Sequence, residues 1–219
     1  VGAYNAMNLD GGGSSCLFLK DFGPMNKNSD GNERAVSNGI YVVSTAPADN
    51  TITEIKCLQT KVRLPRYGIY KPTFYGYNRY GVLVSKNVGG VKKTVDAKGG
   101  EILADGSFFA SGKQSGEIIA RYNGATEKIE VELLPEAPVT IRLDSVLLDN
   151  KVAYPIEVQT EVGGNVFNLY PGAMQWEVAD PTICTVTDGV VKGLKNGSTI
   201  VKGRLGSFTD QIKVNIEIA

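Results

Sequence analysis

The same series of strand and turn signals occurs twice in this chain, and this repeat constrains the fold more than any other feature. Asp105-Gly106 is followed by Gly124 and a closing apolar run, and Asp188-Gly189 is followed by Gly206 and a second such run. The Asp-Gly pairs lie 83 residues apart and the later glycines lie 82 residues apart. A near-constant offset across strands and turns indicates two copies of one unit, and a unit of this length suits a sandwich of about seven short strands.

Short runs rich in β-branched residues supply the strands of these copies. In residues 128–133 and 211–218, apolar side chains alternate with polar or charged ones. This period of two is the pattern of a strand with one buried face. Further strands are predicted at residues 40–43, 118–122 and 139–143, and no longer stretch has a helical period. The chain is therefore predicted to be mainly β.

The composition excludes several classes of function. The 23 Lys and Arg residues balance the 23 Asp and Glu residues, which argues against nucleic acid as a partner. The chain contains no histidine, so it cannot form a Ser-His-Asp triad, a Cys-His pair or a His-ligated zinc site by itself. The three cysteines are far apart, so a zinc knuckle or a redox pair is not expected, and buried free thiols are the simplest interpretation. No run is long enough to span a membrane.

The second copy contains Trp176, Asp180-Pro181, Asp188-Gly189 and a later Gly197. In this order the motifs resemble bacterial Ig-like domains of the group-2 type. The first copy keeps the Asp-Gly segment and the closing strands but has an aromatic segment, residues 74–80, instead of the tryptophan. The resemblance covers about residues 52–219 and implies sandwiches at 49–135 and 136–219, in a secreted or cell-surface protein that docks to the envelope. Residues 134–138, with two prolines, are predicted to be a stiff linker.

Residues 6–15 differ from the rest, since Asp10 is followed by Gly11, Gly12 and Gly13 and then by Ser14 and a second serine. Consecutive glycines allow positive φ and a close approach of the backbone to a ligand, and their N–H groups can bind an anion. A carboxylate beside them can act as an acid, a nucleophile or an acceptor for a sugar hydroxyl. Two interpretations stay open on these residues alone: a site for an anionic or polyol ligand, or a glycine-rich hairpin with a structural Asp.

The motif at residues 8–15, followed by residues 29–40, resembles the C-terminal end of the phosphodiester glycosidase family. This resemblance covers about the first 45 residues and implies hydrolysis of a glycosidic bond next to a phosphate, without a cofactor or a metal. It implies that Asp10 is an acid/base or substrate-orienting carboxylate. It also implies that Gly11, Gly12, Gly13 and Ser14 contact the phosphate or sugar, that Arg34 pairs with phosphate oxygens, and that Asn38 helps to hold the loop.

The sequence thus predicts two tandem Ig-like β-sandwiches preceded by an incomplete glycosidase-domain segment at residues 1–48. The expected parent protein is a bacterial enzyme that acts on sugar-phosphate diesters or envelope glycans, with the sandwiches as spacers or docking modules. The alternative is a non-catalytic adhesion or carbohydrate-binding protein. Because the chain starts at Val1 within an apolar, glycine-rich run, we expect most of the catalytic domain upstream of it and expect this chain alone to be inactive.

Three other groups of residues have competing interpretations. Residues 26–31 alternate oxygen-bearing side chains as a calcium loop does, but Ser37 stands where a bidentate Glu is needed, so a polar turn is favoured. Trp176 is expected in a sandwich core, and Asp105 and Asp188 are expected to form turns. An aromatic cluster is interpreted as core packing and edge tyrosines, with a sugar-stacking platform as the alternative: Tyr67, Tyr70, Phe74, Tyr75, Tyr77 and Tyr80.

Overall fold

The computed structural model describes residues 11–36, 39–96 and 98–218, and this part of the chain is nearly all β. The chain divides into two compact units, Val1–Ala46 and Pro47–Ala219, each of which is described by itself. Within the described ranges, the helical elements are two short 3₁₀ turns, Gly12–Ser14 and Pro171–Ala173. None of the helices found there is long and apolar enough to cross a membrane. The prediction of a mainly β chain is confirmed.

In the described residues of the first unit, β1 (Phe18–Leu19) pairs with the antiparallel β2 (Gly23–Pro24) to form a small hairpin. The strand predicted at residues 40–43 is not formed in the described structure. Ile40 and Val42 are 77% and 99% exposed. A β-branched run favours extended backbone, but a strand also needs a partner for its N–H and C=O groups. No partner pairs with this run within the described residues, so the prediction is wrong.

The first copy of the repeat forms three sheets, in the strand orders β3-β6-β7, β5-β10-β9 and β4-β12-β11-β8. In the four-stranded sheet, β12 pairs with β4 and runs parallel to it. Three of its strands have only two residues, which is why the described structure has more strands than the expected seven. The strands are β3 Glu54–Cys57, β4 Lys61–Pro65, β5 Ile69–Tyr70, β6 Phe74–Tyr77, β7 Leu83–Ser85, β8 Lys92–Val95, β9 Glu101–Ile102, β10 Phe108–Phe109, β11 Gly116–Tyr122 and β12 Ala125–Leu134.

The second copy has the same topology as the first. Its sheets have the orders β13-β16-β17, β15-β20-β19 and β14-β22-β21-β18, so each strand corresponds to the one ten labels earlier. The parallel pair of the first copy, β4 with β12, recurs in the second copy as β14 with β22. The strands are β13 Val139–Ile141, β14 Ser145–Leu148, β15 Tyr154–Pro155, β16 Val158–Val162, β17 Asn165–Leu169, β18 Gln175–Val178, β19 Cys184–Thr187, β20 Val190–Gly193, β21 Gly197–Leu205 and β22 Phe208–Ile216.

Each copy encloses a hydrophobic core between its four-stranded sheet and its three-stranded sheets. Period-two alternation decides which side chains enter it: Ile129 and Val131 of β12 are buried, and so are Ile212, Val214 and Ile216 of β22. The first core contains Ile55, Cys57, Val62, Leu64, Phe74, Val88, Phe108, Ala110, Ile118, Ala120, Ile129 and Val131. The second contains Val139, Ile141, Ile156, Val158, Leu169, Met174, Cys184, Val191, Val201, Leu205, Ile212, Val214 and Ile216.

Tight hairpins join several of these strands. Asn123-Gly124 links β11 to β12, and Asp188-Gly189 links β19 to β20. All four of these residues have positive φ, between 46° and 86°. Two-residue turns of this kind twist in the sense that antiparallel strands require, and Asn-Gly and Asp-Gly are their preferred sequences. The predicted role of Asp188 as a turn former is confirmed.

Trp176 packs against the second core, as predicted, and its indole N–H donates to the carbonyl of Pro171 at 2.9 Å. It lies opposite Gly203, where an added Cβ would come within 2.8 Å of the indole ring. The corresponding position of the first copy is Lys93, opposite Ala120 on β11. The Lys93 amine lies 5.9 Å from the centre of the Phe74 ring. The first copy thus replaces the tryptophan by a lysine stem together with a phenylalanine from another sheet.

The cysteines are free thiols, with Cys57 and Cys184 buried and Cys16 exposed. Burial, and to a smaller extent the charge of Asp180, raises the pKa of Cys184. The Cys57 sulfur lies 3.5 Å from the Tyr70 hydroxyl. Burial, followed by this contact, raises the pKa of Tyr70. The Cys184 thiol therefore stays protonated. Both buried cysteines pack as small apolar core residues.

Acid is expected to destabilise the sandwich pair through four turn aspartates. Each carboxylate accepts the backbone N–H two residues later, and for three of the four this bond is the largest cause of a carboxyl pKa below 3.8. For Asp180 the largest cause is the bond from the Thr182 hydroxyl, and the backbone bond comes second. A lowered folded pKa means that this stabilisation is present above pH 3.8 and is lost as the pH falls through the lower value. The four are Asp49, Asp105, Asp149 and Asp180.

The measurement is the melting temperature between pH 2 and pH 6 for the chain and for a variant with all four aspartates changed to asparagine. Asparagine keeps the side-chain acceptor and removes the titration, so we expect a shallower fall of the melting temperature in acid. Asp144→Asn, a surface aspartate outside these turns, is the control. Parallel curves for the chain and the fourfold variant would show that these turns do not carry the acid sensitivity.

Candidate functional site

The glycine triplet of the first unit forms a tight 3₁₀ turn over Gly12–Ser14. Gly12 has a φ of 64°, a value that glycine adopts at little cost. Gly13 is buried, whereas Gly11 is exposed and Ser14 is half-buried. Two of the turn's backbone N–H groups are used within it, since those of Ser14 and Ser15 donate to the carbonyls of Gly11 and Gly12.

The loop of residues 26–34 lies directly against this turn. Asn28 is buried and its amide donates to the carbonyls of Gly13 and Asn32, at 3.2 and 3.4 Å. The Asn26 amide donates to the Ser15 carbonyl at 2.8 Å, and its oxygen accepts the N–H of Leu17 at 2.6 Å. These side chains replace the backbone pairing that a loop lacks. They bring together the two motifs that the sequence placed some twenty residues apart.

An ion pair between Asp30 and Arg34 covers the buried glycine of the turn. A Cβ added at Gly13 would lie 2.8 Å from the Asp30 carboxyl carbon and 2.9 Å from the Arg34 Nε. The N–H of Arg34 donates to the Gly13 carbonyl at 3.4 Å, and the Ser29 hydroxyl donates to the Asp30 carboxylate at 2.9 Å. Glycine at residue 13 lets the two charged groups pack directly on the turn, and a larger residue would require them to move.

The charged pair is accessible to solvent. The side chain of Arg34 is 59% exposed and that of Asp30 is 38% exposed. A guanidinium has five N–H donors in one plane, so an arginine held by one carboxylate can still present donors to an anion. Nearby, the Cys16 thiol lies 3.5 Å from the Glu33 carboxylate. Desolvation, and then Glu33, raises the pKa of Cys16. The thiol is thus not an activated nucleophile.

The residues predicted for the site are accounted for as follows. Gly11, Gly12, Gly13 and Ser14 share the turn, and Arg34 packs on it through Gly13. Asp10 and Asn38 lie outside the described residues. Among residues 11–36, 39–96 and 98–218, no group of three or more Cys, Asp or Glu side chains could hold a metal ion.

Sequence reasoning missed the residues that hold this site in shape: Asn26, Asn28 and Asp30. Their alternation was noted, but as a polar turn or a calcium loop. In the structure the Asn28 oxygen accepts from the Asn26 amide at 3.1 Å, and the amide hydrogens point to backbone carbonyls. The residues therefore act as a polar turn that ties two loops together. The signal that could have found them is the occurrence of several amide side chains near a glycine run in sequence. Neither loop pairs its backbone in a strand, so such side chains are needed to bond the backbone groups.

The aromatic cluster of the first sandwich does not form a single platform. Phe74 is buried in the core and Tyr70 packs against it, while Tyr75 and Tyr77 lie half-buried on the other face of β6. The Lys56 amine lies 5.7 Å from the Tyr77 ring centre, and the Arg79 guanidinium lies 4.9 Å from that of Tyr80. Cations thus cover two of the rings that face outward.

Comparison with known proteins finds one family for the first unit. The sequence model of the family described as phosphodiester glycosidase matches residues 1–43, about a fifth of the chain. No curated protein sequence matches this chain.

Several solved structures align with most of this chain at low sequence identity and low TM-score. Domains 4–9 of the surface layer protein SbsC align over 77% of this chain, at 17% identity and a TM-score of 0.33. This chain spans 31% of the length of that fragment. The titin Ig tandem A164-A165 aligns over 75% of this chain and 96% of its own, at 13% identity and a TM-score of 0.26. Invasin, a bacterial integrin-binding protein, aligns over 77% of this chain and 40% of its own, at 12% identity and a TM-score of 0.26. The chain thus has a segment similar to phosphodiester glycosidases at residues 1–43 and a two-core β unit at residues 47–219.

Proposed function

We propose that residues 1–48 are the C-terminal segment of a phosphodiester glycosidase-like catalytic unit in a secreted or cell-surface bacterial protein. Its substrates would be sugar-phosphate diesters or envelope glycans. One observation carries the proposal: the family match over residues 1–43 includes the glycine turn and the Asp30–Arg34 pair that packs on it. Residues 49–135 and 136–219 are proposed to be group-2 Ig-like sandwiches that serve as spacers or dock to the envelope.

The proposed roles follow from the chemistry of the groups. Asp10 is the acid/base or substrate-orienting carboxylate. The backbone of Gly11, Gly12 and Gly13 and the Ser14 hydroxyl contact the phosphate or sugar. Arg34 pairs with phosphate oxygens, for which its planar fork is suited, and Asp30 fixes the orientation of the guanidinium. Asn28 holds the turn through the Gly13 carbonyl.

The test is Asp10→Asn in the protein as its gene encodes it, assayed for release of N-acetylglucosamine from an N-acetylglucosamine-1-phosphodiester. Loss of a general acid or base typically lowers kcat by about 10²- to 10⁴-fold, and we expect a loss in that range. Asp21→Asn is the matched control, since Asp21 is an exposed aspartate of the β1–β2 turn. If Asp10→Asn retains full turnover with a native circular dichroism spectrum, Asp10 has no catalytic role.

Replacing Gly13 by alanine is expected to lower kcat/KM for the same substrate by about tenfold or more. The new Cβ would occupy the space of the Asp30 carboxyl group and would force Asp30 and Arg34 off the turn. Gly39→Ala is the control, because Gly39 has no proposed role in the site and a Cβ added there makes only ordinary 3.6 Å contacts with the Tyr41 ring. Equal kinetics for the two variants would mean that the position of Arg34 on the turn does not matter for turnover.

The alternative is a non-catalytic carbohydrate-binding protein, and the outward tyrosines of β6 favour it. Tyr75 and Tyr77 leave part of their surface open on the β3-β6-β7 sheet. Residues 47–219 form a compact unit with two cores of their own, so they can be tested separately. Binding of a glycan by 47–219, abolished by Tyr75→Ala, would support this function. Binding only by proteins that include residues 1–46 would support the enzyme.

A further inference from the structure

The two sandwiches exchange aromatic side chains. Tyr67, in the loop between β4 and β5 of the first copy, packs against the core of the second copy. Phe167, on β17 of the second copy, packs against the core of the first. Each core is thus contacted by a half-buried ring that belongs to the other sandwich. Burial of aromatic surface is the largest apolar contribution that a single residue makes to such a contact.

Backbone hydrogen bonds join the sandwiches at the same place. Gly68 and Leu169 form an antiparallel bridge, and the N–H of Tyr170 donates to the Tyr67 carbonyl at 2.9 Å. The loop is tied to its own sandwich as well, since the N–H of Tyr67 donates to the Ala110 carbonyl at 2.8 Å. A Cβ on Gly68 would lie 2.9 Å from the Pro65 carbonyl oxygen. The loop therefore has a fixed course from the first sandwich into the second.

Tyr67 has a φ of 68°, in the left-handed region that bulky side chains avoid. Such a conformation persists only where the surroundings determine it. Aromatic rings lie beside it: the centre of the Phe109 ring lies 6.4 Å from that of Tyr67 and 4.9 Å from that of Tyr170. The Arg66 guanidinium lies 4.6 Å from the Tyr67 ring centre and pairs with Glu136 of the linker at 2.7 Å. The backbone at Tyr67 is held in this state by contacts from both sandwiches.

We propose that the exchange of Tyr67 and Phe167 couples the two sandwiches into one cooperative, rigid unit. Domains that are connected by a linker alone move and unfold independently, whereas here the removal of either ring opens the core of the other sandwich. This coupling goes beyond the proposed function, because it requires no activity of residues 1–48. It makes the pair a spacer of fixed internal geometry.

The test uses the full 219-residue chain and one reporter for each sandwich. Trp176, the single tryptophan, reports unfolding of the second sandwich by its fluorescence. Amide hydrogen exchange of β11 and β12 reports opening of the first. Tyr67→Ala is expected to lower the denaturation midpoint seen by Trp176, although Tyr67 belongs to the other sandwich. Phe167→Ala is expected to speed exchange in β11 and β12 by about tenfold or more.

Three further variants separate packing from backbone effects. Tyr67→Asn removes the ring but suits a positive φ, so it lowers the Trp176 midpoint without added backbone strain. Tyr67→Phe keeps the ring and should leave the midpoint near that of the parent chain. Tyr80→Ala removes an exposed tyrosine of the first sandwich and should leave the Trp176 midpoint unchanged. The proposal is overturned if Tyr67→Asn leaves that midpoint unchanged, or if Phe167→Ala leaves exchange in β11 and β12 unchanged.

Discussion

Truncating Phe74 to alanine is expected to lower the free energy of unfolding of the first sandwich by about 3–5 kcal/mol. The Phe74 side chain is 2% exposed and is one of the largest in this core. Its removal forfeits the transfer free energy of the ring and leaves a cavity that fixed strands cannot close. The Lys93 amine beside the ring would also lose its cation–π contact. The effect is measured by denaturant unfolding, with amide hydrogen exchange in β11 and β12 as the readout of the first sandwich.

Tyr75→Ala is the matched control for Phe74→Ala. Tyr75 is the next residue of the same strand and is half-buried on the opposite face. It should cost about 1 kcal/mol or less. The second-sandwich counterpart, Val158→Ala, removes fewer atoms from a fully buried position, so its cost should fall between the two. If Phe74→Ala costs no more than Tyr75→Ala, the Phe74 ring does not fill the core.

The buried faces of the long strands could be predicted from the sequence because a strand repeats every two residues. Ile129 and Val131 alternate with charged residues, and this alone decides which face of β12 is buried. The repeat predicted that the two copies share one architecture, and the strand order of one copy does recur in the other. The two-residue strands β5, β9 and β10 of the first copy are too short to show a period, so their count could not be predicted.

The replacement for the tryptophan could not be found by reading along the chain. The aromatic segment 74–80 was expected to take its place, and Phe74 does fill that core. The structural counterpart of Trp176, however, is Lys93 on β8. From the sequence alone, a lysine at this position suggests a solvent-exposed turn. Its long apolar stem can nevertheless pack along a core while its amine remains in a polar environment. The choice depends on which residues of another sheet face it, and no local pattern contains that information.

The candidate site also contains residues that could be predicted from the sequence and residues that could not. The glycine triplet and Arg34 stand out by residue type and by family resemblance, and the structure brings them into contact. Asn28 and Asp30 do not stand out, because their roles depend on tertiary contacts: the Asn28 amide donates to the distant Gly13 carbonyl, and Asp30 pairs with Arg34 on top of Gly13. The run at 40–43 shows the converse error, where local propensity predicted a strand without a partner.

Replacing Gly112 by alanine is expected to destabilise the first sandwich by about 3 kcal/mol, although the change adds a single methyl group. A Cβ at residue 112 would lie 2.6 Å from the backbone carbonyl carbon of Lys98 and 2.7 Å from that of Gly99. These are backbone atoms, so no side chain can rotate to make room. The Lys98 carbonyl also accepts the N–H groups of Lys113 and Gln114, at 3.2 and 3.3 Å, and a shift that relieves the clash breaks these bonds.

Gly89→Ala is the control for Gly112→Ala, since it also lies in a loop of the first sandwich, and nothing lies within 4 Å of its added Cβ. It should change the free energy of unfolding by less than about 1 kcal/mol, and in the stabilising direction if alanine only restricts the unfolded chain. Both variants are measured by denaturant unfolding with exchange in β11 and β12 as the readout. A cost for Gly112→Ala as small as that for Gly89→Ala would mean that the loop at residues 111–114 does not pack on Lys98. A large difference would show that the close approach of two backbones, rather than loop flexibility, requires glycine at residue 112.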